Sequence, residues 1–267
     1  MLIRQNMHTH THLSLCGGNN STVANTVKEA EEVGLELLGI SDHIDVRDSG
    51  RHRLFMADRD ALARIDTDMT VLIGTEVSMQ SPDRLAASAT ELAVLDYWVA
   101  AANHYHLGET KHGVLVENPT DKTFKGYAAH HLEMISGAIR HGANIIAHPF
   151  NLGKVGAVEL DAELSAYDRV RLREVVAEAA EARCAFELNP SHLRGFPLFF
   201  QELIELAREE GAPLSQGSDG HHPGQMGYGG PEGIKEASQL FDDLGFTLDQ
   251  LVTVEELTSR GALALAA

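Results

Sequence analysis

Along the chain, short apolar runs alternate with longer stretches whose apolar residues recur at helical spacing. The short runs cover 3–8, 35–40, 70–75, 97–103, 143–147, 185–188 and 212–216, and they predict β-strands. Between them, 23–34, 122–141, 159–182 and 197–211 carry the period of amphipathic helices. Several of these end at Gly or Gly-Ala, where a chain readily leaves a helix. The segment GGPEGIKEASQLFDDLGF reads as a closing helix, within C-terminal helices spanning about 231–263. Such alternation predicts parallel strands joined by crossover helices. Periodicity alone fits either a closed barrel or an open doubly wound sheet.

The residues just beyond each strand are more informative. His8 and His10 lie at the end of the first, and SDH (Asp42, His43) comes after the second. GTE (Glu76) comes after the third, NHYH (His104, His106) after the fourth and AHPF (His148) after the fifth. The sixth runs into ELN (Glu187, Asn189) and the seventh into GSDGHH (Asp219, His221, His222). A single His or Asp after a strand is ordinarily a turn residue or a helix cap. Recurrence at every strand end points instead to one pocket, because parallel α/β folds build their sites at that edge. A closed barrel gathers those ends into a ring. The expectation is an α/β protein, a distorted (β/α)7 TIM-like barrel, with one domain over 1–267 and its ligand motifs between 7 and 222.

Bulk properties narrow the surroundings. A chain of 267 residues with 43% hydrophobic and 22% charged content can bury one large core. No apolar stretch approaches the roughly 18 residues of a membrane span. The N-terminus, MLIRQNMHTHTH, lacks the apolar region of a signal peptide. Cys16 and Cys184 cannot form a disulfide framework, which fits a reducing cytoplasm, the expected location. A formal charge of −18 disfavours a general nucleic-acid binder, yet it is compatible with a small phosphorylated substrate held by cations.

The ring has a definite chemistry. His8, His10, His43, Glu76, His104, His148, Asp219 and His221 converge, with His12 or Cys16 as a further donor. In MHTHTHLSLCGG the alternating histidines would share one strand face if the strand ran that far. Neutral imidazoles in such number would leave ring nitrogens unsatisfied, and protonated ones would repel. Divalent metals remove both problems. One ion takes about four to six donors, so roughly two or three ions are expected, with a carboxylate such as Glu76 bridging a pair. Imidazole with carboxylate suits zinc, manganese or iron. Such sites lower the pKa of bound water and clamp attacking and leaving oxygens, so the natural reaction is hydrolysis of a phosphate ester by a metal-bound hydroxide.

HTH, SDH, GTE, NHYH, AHPF and GSDGHH, in this order and spacing, resemble the polymerase and histidinol phosphatase (PHP) family of metal-dependent phosphoesterases. The resemblance runs from Met7 to about Gly230. It implies a distorted barrel and hydrolysis of phosphomonoesters, or in some members phosphodiesters, at a trinuclear site. It also implies that His8, His10, Glu76 and Asp219 hold a first ion, and that Glu76 bridges to a second on His104 and His148. His43 and His221 would hold a third. Where the family carries Asp or His after its HxH motif, this chain has Leu15 and Cys16, so the third ion is expected to take the Cys16 thiolate or, with the loop folded back, His12. SLCGG also departs from the Cys–x–His of the histidinol-phosphatase branch.

Arg194, in ELNPSHLRG, resembles a position where arginine grips phosphate, and its guanidinium suits bidentate binding. Arg47, Arg51 and Arg53 lie on the same expected rim, and Glu187 can receive the second N–H of a ligating imidazole. Trp98 and Met79 read as packing; His106, His130, His131, His192 and His222 receive no role. The leading expectation is a hydrolase of a small phosphomonoester. The alternatives are histidinol-phosphatase-like activity, an amidohydrolase-type site, or a metal-binding domain with little catalysis. An amidohydrolase would call for a bridging lysine, for which only Lys111, Lys122 and Lys125 present themselves.

Overall fold

A computed structural model describes residues 3–44, 52–104, 116–150 and 165–263. The chain passes from β1 (Gln5–Asn6) through α1 (Val23–Glu32) to β2 (Leu37–Ile40) and a short β3 (His43–Ile44). After α2 (His52–Leu62) come β4 (Thr70–Ile73), β5 (Thr75–Ser81), β6 (Arg84–Leu85) and α3 (Ala89–Leu92). Next are β7 (Trp98–Ala101), α4 (Phe124–Arg140), β8 (Ile145–Ile146), α5 (Arg169–Ala182) and β9 (Ala185–Leu188). Then come α6 (Pro190–Gly195), α7 (Pro197–Glu210), β10 (Leu214–Gln216), α8 (Gly230–Asp243) and α9 (Val254–Leu263).

Each long helix starts where local chemistry allows. Thr22, Thr123 and Asp168 cap α1, α4 and α5 by accepting backbone N–H bonds, and α7 opens with Pro197 in its first turn. The Asp168 cap sets the start of α5, later than the expected 159; residues 159–164 lie outside the described residues. Gly211, at φ 78°, ends α7 in the left-handed region that glycine enters without penalty. Among the described residues no helix is long and apolar enough to cross a membrane.

Two parallel ladders carry the strands, β1–β2–β4 and β10–β9–β8–β7–β5–β3, with β6 the antiparallel exception on β5. The ladders are parts of one ring. β2 continues into β3 and β4 into β5, linked by backbone bonds from Gly74 N to Ile40 O (2.7 Å) and from Glu76 N to Ser41 O (3.1 Å). Beyond Asn6 the first strand continues to His10 between its two neighbours. On one side Met7 N bonds Gln216 O (2.8 Å), Asp219 N bonds His8 O (2.9 Å) and His10 N bonds Gly220 O (2.8 Å). On the other, Ser41 N bonds Thr9 O (2.8 Å). These bonds join the β10 end to the β1–β2 end, as the barrel expectation requires.

A separate apolar cluster fills the ring's interior: Met7, Leu37, Leu72, Tyr97, Val99, Ile145 and Ala185 come from successive strands, and Val252 and Leu257 from the C-terminal segment. Tyr97 crosses this interior, and its hydroxyl donates to Met7 O at 2.9 Å. A Cβ at Gly39 would lie 2.2 Å from its oxygen and one at Gly74 2.4 Å from its ring, so both strands need glycine there. The larger cluster lies between the ring and its helices and includes Trp98, with Met79 fully buried, as expected.

Candidate metal centre

The carboxyl edge of this ring delivers its side chains to one place. His8 and His10 come from the continuation of β1, His43 from β3, Glu76 from β5, and His104 and His148 from just beyond β7 and β8. Asp219 and His221 lie just beyond β10. The strand pairing sets His43 directly beside Glu76. His8, His10, His43, Glu76, His104 and His148 are buried; Asp219 and His221 are half-buried and face the opening.

Glu76 sits at the middle, and its two oxygens face different partners. Oε2 lies 3.0 Å from His43 Nδ1 and 3.4 Å from the Nε2 atoms of both His8 and His10. Oε1 lies 3.0 Å from His148 Nε2 and 3.5 Å from His104 Nε2. Asp219 Oδ1 closes the first side, 3.1 Å from His10 Nε2 and 3.4 Å from His8 Nε2. Among the described residues, three groups have ligand atoms close enough to share an ion: His8–His10–Glu76, Glu76–His104–His148 and His10–His43–His221.

Hydrogen bonding behind the rings shows which nitrogens point lone pairs inward. His8 Nδ1 donates to Glu187 Oε1 at 2.9 Å, which leaves a lone pair on Nε2 of the neutral ring. Ser14 Oγ donates to Asp42, so it accepts from His10 Nδ1 at 3.2 Å, with the same consequence. The two Nε2 atoms are 3.1 Å apart and both face the oxygens of Glu76 and Asp219. Four lone-pair atoms, His8 Nε2, His10 Nε2, Glu76 Oε2 and Asp219 Oδ1, converge on one point. Only a proton or a cation can sit there, and a divalent cation fits the whole donor set. His221 Nδ1 donates to Asp219 O (2.8 Å), which turns its Nε2 into a donor for a metal as well.

The charges agree. Burial opposes a charge on His8, but Glu187, Asp219 and Glu76 outweigh it and hold the pKa well above the ordinary imidazole value. Burial also opposes ionisation of Glu76, yet His43 and His8 hold its carboxyl well below the usual range. Asp219 is lowered in the same way, by His8 and His10 against burial. His148 and Asp219 adopt positive φ (30° and 52°), which costs energy for residues other than glycine and is kept where function over-determines the backbone.

Not every expected residue joins the cluster. His12 is exposed: the extended path stops at Thr11, where Asp42 accepts from the N–H and hydroxyl groups of Thr11 and Ser14 and pulls the chain into a turn. The third alternating histidine therefore leaves the shared face. Cys16 is half-buried in that turn and lies outside the three groups, although burial and the carboxylates of Glu76, Asp219 and Asp42 push its thiol up to about 12. Arg194 stands on α6, paired loosely with Glu236 at 3.5 Å, and lines a cavity of about 390 Å³ that also reaches Asp219.

Glu187 takes the supporting place expected of it, and also accepts the backbone N–H of His148. Arg53 is exposed on α2; Arg47, Arg51, His106 and Lys111 lie outside the described residues. Lys122 and Lys125 are exposed at α4. His130 contacts Glu117 O, His131 is buried against Tyr167, and His222 is exposed, whereas His192 lies with its ring 6.2 Å from that of His148. Sequence reasoning missed Ser14 and Ser78, and it placed Asp42 at a strand end without foreseeing that it holds the turn at Thr11 and Ser14. Ser78 Oγ lies 2.8 Å from His104 Nδ1, and serines carry no signal of such a role until the fold brings them near.

Comparison with known proteins leads to the same place. A family model described as PHP domain matches residues 6–191. A probable phosphatase of Aliivibrio fischeri (strain MJ11) is 25% identical over 258 residues, covering 95% of this chain and 90% of that one. Another, of Vibrio atlanticus (strain LGP32), is 26% identical over 260 residues, covering 95% and 90%. Among solved structures, histidinol phosphate phosphatase from Lactococcus lactis subsp. lactis Il1403, complexed with zinc, L-histidinol and phosphate, superposes with a TM-score of 0.64 at 17% identity. That match covers 92% of this chain and 95% of the other and shows a shared fold.

Proposed function

The chain belongs to the PHP domain family, and from that premise we propose that it is a metal-dependent phosphoesterase acting on a small phosphomonoester. The observation that carries this is Glu76, buried with one oxygen toward His8, His10 and His43 and the other toward His104 and His148. That is the placement of a carboxylate shared by two cations. The probable-phosphatase names of the relatives and the zinc and phosphate in the Lactococcus lactis structure support the same reading.

In this reading His8, His10, Glu76 and Asp219 hold one divalent ion and Glu76, His104 and His148 a second. His43 and His221 would hold a third; Cys16, the donor expected there, lies outside the grouped ligand atoms. Zinc, manganese and iron all suit the donors. When bound, such ions bring the pKa of water near neutrality and neutralise charge on a phosphoryl group. The chain's own residues do the rest. Glu187 fixes the tautomer of His8, Ser14 that of His10, and the Asp219 carbonyl that of His221. The interior cluster beneath them excludes water from the ring. An amidohydrolase reading is disfavoured because Glu76 occupies the bridging place and Lys122 and Lys125 are exposed elsewhere.

The test is turnover of a chromogenic phosphomonoester, a phosphodiester and a panel of amides, each with added manganese or zinc. We expect phosphate release from the monoester to exceed every other activity. Amide cleavage without phosphate release, or silence on all substrates, would contradict the reading.

A further inference from the structure

A cavity of about 390 Å³, at the small end of ligand sites, has both Asp219 of the candidate metal centre and Arg194 among its lining residues. Its polar groups show a bias. Asn189 has its Oδ1 engaged by the N–H and hydroxyl of Ser191, so what it can offer a ligand is its NH2. Gln225 likewise has its Oε1 engaged by the N–H groups of His221 and His222. Ser218 Oγ accepts from Asn6 Nδ2 and keeps its own hydrogen to give. The carboxylate among the lining residues, Asp219, is committed to His8 and His10. Arg194 is the cation, and its link to Glu236 is long and solvent-exposed, so a bound anion can replace it at little cost. Tyr228 and Ser191, also in the lining, give their hydrogens to Gln5 O and Asn189, so what their hydroxyls keep for a ligand is lone pairs, which suit alcohol groups.

We propose that this cavity receives the alcohol portion of the substrate and selects phosphomonoesters whose alcohol portion carries a second anionic group, a carboxylate or another phosphate. The proposal rests on the phosphoesterase reading and deepens it. It assigns Arg194 to the second anion rather than to the phosphoryl group being transferred, whose charge the cations held by Glu76 and its histidines would neutralise. A cationic alcohol portion, such as an amino alcohol, meets Arg194 and side chains whose uncommitted atoms on Asn189, Gln225 and Ser218 are donors, and is disfavoured.

The experiment uses the metal-loaded full chain and compares kcat/KM for glycerol 3-phosphate, 3-phosphoglycerate, glycerol 1,3-bisphosphate and phosphoethanolamine. We expect one or both doubly anionic esters to exceed glycerol phosphate by at least about tenfold, as charge-assisted bonds from arginine allow, with phosphoethanolamine lowest. The carboxylate and bisphosphate arms show which anion fits. In Arg194→Gln the ratio of anionic to neutral ester should collapse to within about threefold, and Arg194→Lys should restore part of it. A preference for phosphoethanolamine, or a ratio that survives Arg194→Gln, would overturn the proposal. Turnover of a chromogenic monoester without discrimination overturns the subsite alone; no phosphate from any ester overturns the phosphoesterase reading with it.

Discussion

Glu76→Gln should lower phosphomonoester turnover by at least about a thousandfold, a loss in keeping with removal of the charge that anchors transition-state stabilisation. Glutamine keeps the shape but offers one oxygen and one NH2 where the native residue offers two anionic oxygens. Whichever way the amide turns, an N–H points at an imidazole lone pair on one side. The sites on His8–His10 and on His104–His148 both lose their shared ligand, while His10, His43 and His221 keep their grouping. Elemental analysis of the purified variant should therefore show reduced metal content, with a circular dichroism spectrum like that of the parent. Full metal content with normal turnover would remove Glu76 from the centre.

Glu187→Gln should weaken metal binding by about 10- to 100-fold, the usual consequence of removing a partner that orients a ligating histidine. Glu187 holds two residues that the proposed function gives to different ions: its Oε1 accepts from His8 Nδ1 and its Oε2 from the backbone N–H of His148. In glutamine one of those positions becomes a donor facing a donor. The carboxylate packs against the Gly217 backbone, where a Cβ would lie 2.1 Å from Glu187 Oε1, so the site needs glycine there. Loss should appear in both the first and second sites. A competition titration with a chromophoric chelator measures it; a variant with parental affinity would reduce Glu187 to a packing residue.

Metal affinity should rise with pH, for a reason rooted in the same residue pair. Burial works against charge on His8, but Glu187, Asp219 and Glu76 outweigh it and raise its pKa, so protons compete with a cation for Nε2 above the ordinary imidazole range. A cation must displace them, so affinity climbs with pH until the raised pKa of His8 is passed and then levels.

Much of the centre was legible in the sequence because each strand of a parallel barrel ends at the same edge. His8, Glu76, His104, His148 and Asp219 needed only the strand pattern to be placed together. His12 was not legible in this way. Its alternation with His8 and His10 suggests one face, but Asp42, distant in sequence, captures the backbone at Thr11 and Ser14 and ends the strand. The two-residue β3 escaped because so short a strand leaves no periodicity to detect, although it carries His43. The tautomers were hidden in part. Glu187 was expected behind a ligand histidine, but the tautomer of His10 depends on Ser14 and Asp42, contacts that exist only once the barrel has closed.

The central claim is that the converging lone pairs of His8, His10, Glu76 and Asp219 are held together by cations. Its most direct test is the number of metal equivalents retained per chain after incubation with zinc or manganese and desalting, read by elemental analysis. More than one tightly held equivalent per chain is the expected result, and a chain that retains none from either metal would contradict the claim.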